Sequence, residues 1–219
     1  MWNKPHLLNA IADLLMLVAA AALLAAAAVW LVRVPSLPVR HVVFADVLPH
    51  TKRGEVEQVL PQALKGNFFS LNLEAVRGAL EKLPWVRKVD VRRQWPDRLE
   101  ISIEEHKPVA RWGEGRGELV NSYGEVFAAM LTEAESSGLP LLFGPQGTAQ
   151  EVLKHYGDFI EVFKTVGETP VQVTLSPRLA WQLKLQNGML VDIGREQPKS
   201  PVGARLARFI EIYPETVAK

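Results

Sequence analysis

The chain has 219 residues, 48% of them hydrophobic and 22% charged, with a formal net charge of +1 and no cysteine. Those fractions allow a globular core, and the length admits two small domains beside a membrane segment. The near-neutral charge balance gives non-specific nucleic-acid binding no electrostatic support, and the lack of cysteine excludes disulfides, cysteine catalysis and thiolate metal sites.

The first predicted element is a transmembrane helix over Ile11–Val32, after a tail of residues 1–10. At ~1.5 Å per residue it spans ~33 Å, enough for a hydrocarbon core of ~30 Å. The run through Leu14, Leu17 and Leu24 has no polar face; Trp30 and Arg33 stand where an interfacial aromatic and a snorkelling cation belong. A signal peptide is the rival reading, with Ala26-Ala27-Ala28 as small residues for cleavage, but the apolar run is longer than a usual signal core. Lys4 precedes the helix while Arg33 and Arg40 follow it, so the charge bias leaves the orientation open.

Pro35 and Pro38 form a stiff spacer, and Val39–Phe44 reads as a strand. Thr51 is placed to cap a helix over Lys52–Leu64, with Gly66 as its stop. Asn72 caps a second helix, Leu73–Leu83, ended by Pro84. Two runs of period two follow: Arg87, Val89, Val91 and Arg93, then Leu99, Ile101 and Ile103, joined by Gln94-Trp95-Pro96-Asp97-Arg98 as a turn. Lys88, Arg92 and Arg93 on one strand face Glu100, Glu104 and Glu105 on the other, which predicts cross-strand ion pairing on the outer face. The order strand, helix, helix, strand, strand predicts an α+β module with both helices on one face of a three-stranded sheet.

This order, with Leu83-Pro84-Trp85-Val86 before the hairpin, Arg93-Gln94-Trp95-Pro96-Asp97-Arg98-Leu99 at its turn and Glu104-Glu105-His106-Lys107-Pro108-Val109-Ala110 leaving it, resembles a POTRA domain, placed at 38–106. A single membrane helix followed by one such domain resembles the FtsQ/DivIB family of bacterial cell-division proteins.

A second, β-rich domain is expected over 107–219. Val109–Trp112 reads as a strand, Leu119–Phe127 as a hairpin, and Leu139–Pro145 as a short buried segment. A helix over Ala149–Thr165 carries Val152, Leu153, Tyr156, Phe159, Ile160 and Phe163 on one stripe. Val171–Leu175, Trp181–Leu185 and Met189–Ile193 are strands, the last two joined at Asn187-Gly188. Ser200 and Pro201 open a final helix, Val202–Tyr213. Leu119-Val120-Asn121, Leu139-Pro140-Leu141-Leu142-Phe143-Gly144-Pro145, Trp181-Gln182-Leu183, Gly194-Arg195 and the run Arg205–Pro214 occur in the order of that same family. The resemblance thus covers nearly the whole chain.

What the resemblance implies is a bitopic inner-membrane scaffold, N-terminus in the cytoplasm and both domains in the periplasm, concentrated at the division septum. It implies FtsB and FtsL as partners, with FtsK, FtsW and FtsI as further division proteins, and FtsB joining by β-strand addition. In the family the last helix is followed by strands that form the pairing edge; this sequence ends at Lys219, so that edge is expected to be missing here. The resemblance places Arg178 beside the partner, with Arg195 and Arg205 as weaker candidates. An exposed arginine is otherwise a solvated surface group.

No catalytic reading arises from the residues. Glu151, His155 and Asp158 share a helix face but more often make a solvated face than a metal site. Gly113-Glu114-Gly115-Arg116-Gly117 precedes strand signals, not the helix that a phosphate loop needs. Glu104 and Glu105 are adjacent on a strand and point to opposite faces. The expectation is a non-enzyme without cofactor, metal, nucleic acid or small-molecule substrate. The alternatives are a POTRA-type chaperone in outer-membrane protein assembly or secretion, and an envelope hydrolase with an unrecognised site. Filamentation on depletion supports division, loss of outer-membrane proteins supports the chaperone, and turnover of cell-wall material supports the hydrolase.

Overall fold

The computed structural model describes residues 5–33, 39, 41–45, 48–115 and 117–216. The Pro35 and Pro38 spacer and Arg40 lie outside the described residues. The chain divides into two compact units, 1–104 and 105–219.

The first unit begins with α1 (Pro5–Arg33). Within it Leu8–Trp30 is long and apolar enough to cross a membrane, and none of that stretch is buried against protein. Leu14, Leu17, Leu24 and Trp30 are all exposed. Arg33 closes the helix; its side chain lies outside the described residues.

There follow β1 (His41–Phe44), α2 (Arg53–Ala63), α3 (Leu73–Leu80), β2 (Val86–Gln94) and β3 (Arg98–Glu105). The sheet order is β1-β3-β2, with β1 parallel to β3 and His41 opposite Arg98. Period-two alternation puts Val89, Val91, Leu99, Ile101 and Ile103 on one sheet face, where Val56, Leu60, Val76 and Leu80 of the helices cover them. Burial on that face stabilises each large side chain by roughly 1.5–3 kcal/mol.

Local details depart from the sequence reading. Lys52, not Thr51, occupies the N-cap position of α2, without a side-chain bond, and Thr51 is buried instead. Asn72 caps α3 as expected, its Oδ1 accepting from Ala75 N at 3.2 Å. That helix stops at Leu80, and Leu83 N turns back to Leu80 O at 3.0 Å. The outer-face pairing is also different. Arg87 meets Glu104 at 3.1 Å, Arg92 turns to Asp90 on its own strand, and Arg93 donates to main-chain carbonyls.

The second unit contains β4 (Pro108–Trp112), β5 (Glu118–Asn121), β6 (Val126–Ala128), α4 (Glu133–Ser136), β7 (Leu141–Phe143), α5 (Ala149–Lys164), β8 (Pro170–Leu175), β9 (Ala180–Leu185), β10 (Leu190–Arg195) and α6 (Val202–Thr216). Seven strands form one sheet in the order β10-β9-β8-β7-β4-β5-β6. The pairs β4–β7 and β7–β8 are parallel and the others antiparallel. The apolar stripes of α5 and α6 bury Val152, Phe159, Phe163, Leu206 and Tyr213 in one cluster with Trp112, Leu142, Trp181, Leu183 and Leu185 of the sheet. Near the start of this unit the fully buried Asn121 staples the β5–β6 turn. Its Oδ1 accepts from Tyr123 N and Glu125 N, both at 2.9 Å, and its Nδ2 lies 2.9 Å from His106 Nδ1.

Candidate partner-binding site

The strands β8, β9 and β10 form an antiparallel meander that ends the large sheet, so β10 is a terminal strand of the sheet among the described residues. A strand in that position carries main-chain N–H and C=O groups that a further strand can pair. The ladder to β9 runs from Leu190 opposite Lys184 to Arg195 opposite Ala180, with a bulge between Asp192 and Gly194. Gly194 has φ +80 there, a left-handed conformation that a side chain would strain. The bulge shortens the regular part of the edge and limits indiscriminate pairing.

Arg178 sits on the β8–β9 turn. Ser176 N donates to Ala180 O at 2.9 Å, Leu179 N donates to Ser176 O at 2.8 Å, and Ala180 N donates to Ser176 Oγ at 3.0 Å. This closed turn exposes Arg178. Leu179 adopts φ +59, which costs a residue with a Cβ roughly 1–2 kcal/mol. Its side chain is 56% exposed beside Arg178. Arg195, also exposed, lies at the same end of the β9–β10 ribbon because it pairs with Ala180. The fold therefore brings Arg178, Leu179 and Arg195 to one end of the terminal ribbon.

Arg205 is used differently. From α6 its Nε donates to Ile193 O at 2.8 Å, and its two terminal nitrogens reach the carbonyls of Ser200 and Arg195. The guanidinium clamps α6 to the end of β10 and fixes the main chain that carries Arg195. At the start of α6 the Glu196 carboxylate accepts from Val202 N at 3.1 Å, so Glu196 serves the helix terminus for which the sequence nominated Ser200.

The far end of α6 is held by a partly buried polar latch. Tyr213 Oη donates to Glu168 Oε1 at 2.9 Å, and Asn187 Nδ2 donates to the same oxygen at 2.9 Å and to Tyr213 Oη at 2.8 Å. Burial pushes the Tyr213 hydroxyl pKa up, the hydrogen bond to Glu168 and its charge add to the rise, and the Asn187 donor opposes it. Clamped at Arg205 and latched at Tyr213, α6 forms a fixed support behind β10.

Among the described residues no catalytic constellation accompanies this edge. His155 Nδ1 is 3.7 Å from Asp158 Oδ2, and its ring packs on Trp181 with centroids 4.5 Å apart. Among the described residues no group of three or more His, Asp or Glu is placed to hold a metal ion. An open cleft of about 700 Å³ lies between the β4–β5 turn and α4, lined by Arg111, Leu119, Met130, Leu131 and Phe143 with Glu114, Glu118 and Glu133. Those three acids are solvent-exposed.

The sequence reading nominated the arginines but not Leu179, Glu196 or Tyr213. A leucine at positive φ carries no sequence signal, because that conformation is expected of Gly or Asn. The contacts of Arg205 and Tyr213 reach groups that only the tertiary fold brings near.

Comparison with known proteins covers nearly the same span. A family model described as cell division protein FtsQ/DivIB, C-terminal, matches residues 110–219, and one described as POTRA domain, FtsQ-type, matches residues 37–106. A cell division protein FtsQ from Burkholderia pseudomallei is 38% identical over 219 residues, covering 100% of this chain and 86% of that protein. Its counterpart in Nitrosospira multiformis is 34% identical, covering 100% of this chain and 91% of that protein. The Escherichia coli protein of the same name is 31% identical over 187 residues, 84% of this chain and 66% of that protein.

Proposed function

The chain belongs to the FtsQ/DivIB family of cell-division proteins, and from that premise we propose that it is a non-enzymatic, single-pass scaffold of the division machinery. In this reading residues 1–10 are a cytoplasmic tail, 11–32 cross the inner membrane, and a POTRA domain (38–106) and a β domain (107–219) work in the periplasm. Large domains translocate largely regardless of flanking charge, so Arg33 and Arg40 do not oppose that orientation. The scaffold gathers at the septum and links membrane division proteins, first the FtsB–FtsL pair.

Capture proceeds by strand addition on the β10 side of the large sheet. The observation that carries this is the terminal position of β10 among the described residues, backed by a helix fixed at both ends and flanked by Arg178, Leu179 and Arg195. Main-chain pairing supplies affinity without much sequence demand, while the arginines select a partner strand with carboxylates beside it. Leu179 offers an apolar contact whose strained backbone a partner can cover.

Arg178→Glu tests the reading. The expected result is a drop of about tenfold in capture of the FtsB–FtsL pair, the size of effect that truncating or reversing one charged contact produces. The thermal melt stays within about 0.5 kcal/mol of the parent, because the side chain is exposed. Equal capture by both proteins removes Arg178 from the site.

A further inference from the structure

The end of the POTRA domain where the chain enters differs from its other end. Because β1 is parallel to β3, both strands start beside the β2–β3 turn: His41 lies opposite Arg98, and His41 N donates to Asp97 O at 3.5 Å. The connection from Arg33 at the end of α1 to His41 reaches about 28 Å at full extension. The turn is thus tethered close to whatever surface α1 enters.

Two aromatic rings stand out at this end. Trp95, in the turn, is 79% exposed, and Phe69, in the α2–α3 connection, is 44% exposed. Arg93 joins the two segments: its Nε donates to Phe68 O at 2.8 Å and its Nη2 to Leu71 O at 2.6 Å. Phe68 is buried and meets Phe69 edge-to-face at 5.3 Å, a packed base for the outer ring. Around the rings Lys65, Arg92 and Arg98 are exposed, against Asp97 in the turn and the Asp90 that pairs with Arg92. At the other end of β2, by contrast, Trp85 is buried and stacked on His50 at 4.1 Å. The aromatic is covered far from the entry and bare beside it.

We propose that Trp95 and Phe69, with Arg92, Arg98 and Lys65, dock this end of the domain onto the bilayer leaflet from which the chain emerges. The inference rests on the reading that α1 spans the membrane. Indole rings favour the boundary between headgroups and acyl chains, where an apolar body and a polar N–H are both accommodated. The flanking cations face anionic headgroup phosphates. The tether supplies a high effective concentration, so a shallow two-ring contact suffices to hold the domain against the surface.

The test uses the full chain in nanodiscs of phosphatidylcholine and phosphatidylglycerol. With no native cysteine, Gln94→Cys places one nitroxide beside Trp95, and Lys82→Cys places a reference label at the other end of β2. Between these ends β2 spans about 26 Å, from Val86 to Gln94. Collision with oxygen relative to an aqueous nickel chelate is read by electron paramagnetic resonance. The expected ratio is about fivefold higher at 94 than at 82, and Trp95→Ser with Phe69→Ser returns 94 to the reference value. Equal, aqueous ratios at both sites in a chain that resists alkaline carbonate extraction overturn the docking and leave the membrane span standing. Protection at 94 that arises only when other division proteins share the disc overturns it in favour of a protein contact. Release of the chain by carbonate overturns the span and the docking together.

Discussion

The two domains differ in how far aromatic rings build their main buried cluster. In the β domain Trp112, Phe159, Phe163, Trp181 and Tyr213 belong to the buried cluster, and rings lock helices to sheet. In the POTRA domain the main buried cluster consists of Val, Leu and Ile, Phe68 and Trp85 are buried outside it, and Trp95 and Phe69 lie at the surface. A seven-stranded sheet with two helices offers interior depth for large rings, whereas a three-stranded sheet under two short helices is filled by branched aliphatics. The lesson is that the rings of the larger domain's cluster read as structure, and the bare pair in the smaller domain, beside buried Phe68, reads as a surface for something else.

The sharpest way to break that contrast is to remove one ring from each. Phe163→Ala deletes a fully buried side chain and is expected to cost about 3–5 kcal/mol, while Trp95→Ser is expected to stay within about 0.5 kcal/mol. Chemical denaturation of both variants checks the pair, and similar costs would erase the distinction. Next in size is Arg205→Ala, which leaves the carbonyls of Ile193, Ser200 and Arg195 without their cationic donor. A loss of about 2 kcal/mol is expected, with faster hydrogen exchange confined to β10 and the start of α6.

Tyr213→Phe opens the latch at the other end of α6 and is expected to destabilise less than Arg205→Ala does. It also carries a pH signature. The folded state raises the Tyr213 pKa above its ordinary value, so the latch is fully present below about pH 10 and is lost as pH climbs through the folded value. Alkaline melts should therefore fall more steeply for the parent than for Tyr213→Phe. The smallest effect has the opposite sign: Leu179→Gly relieves the left-handed strain and is expected to stabilise by up to about 1 kcal/mol. Weaker partner capture by this more stable variant would mark Leu179 as a contact.

How much could be read in advance also divides by domain. In the POTRA domain the alternation of Val89, Val91, Leu99, Ile101 and Ile103 and the Asn72 cap are local signals, and both helices and the hairpin follow from them. In the β domain the β5–β6 and β9–β10 hairpins were legible, but the order that joins them into one sheet was not. The central strand β7 has three residues, too few for a period, and its parallel partners β4 and β8 are remote in sequence. The helix α4 carries a readable Thr132-x-x-Glu135 capping box, but its four residues show no apolar stripe and it was missed. At the candidate site Arg178 was nominated through family resemblance. The roles of Arg205 and Tyr213 depend on carbonyls, amides and carboxylates that meet only after folding.

The central claim is that a partner strand adds on the β10 side of the large sheet. The most direct measurement is amide hydrogen exchange of the full chain in membranes, with and without the FtsB–FtsL pair. The account predicts slowed exchange over residues 190–195 and the β8–β9 turn, with β2 of the POTRA domain unchanged. Slowed exchange along β2 instead, or no change over β10 in a complex that demonstrably forms, would contradict it.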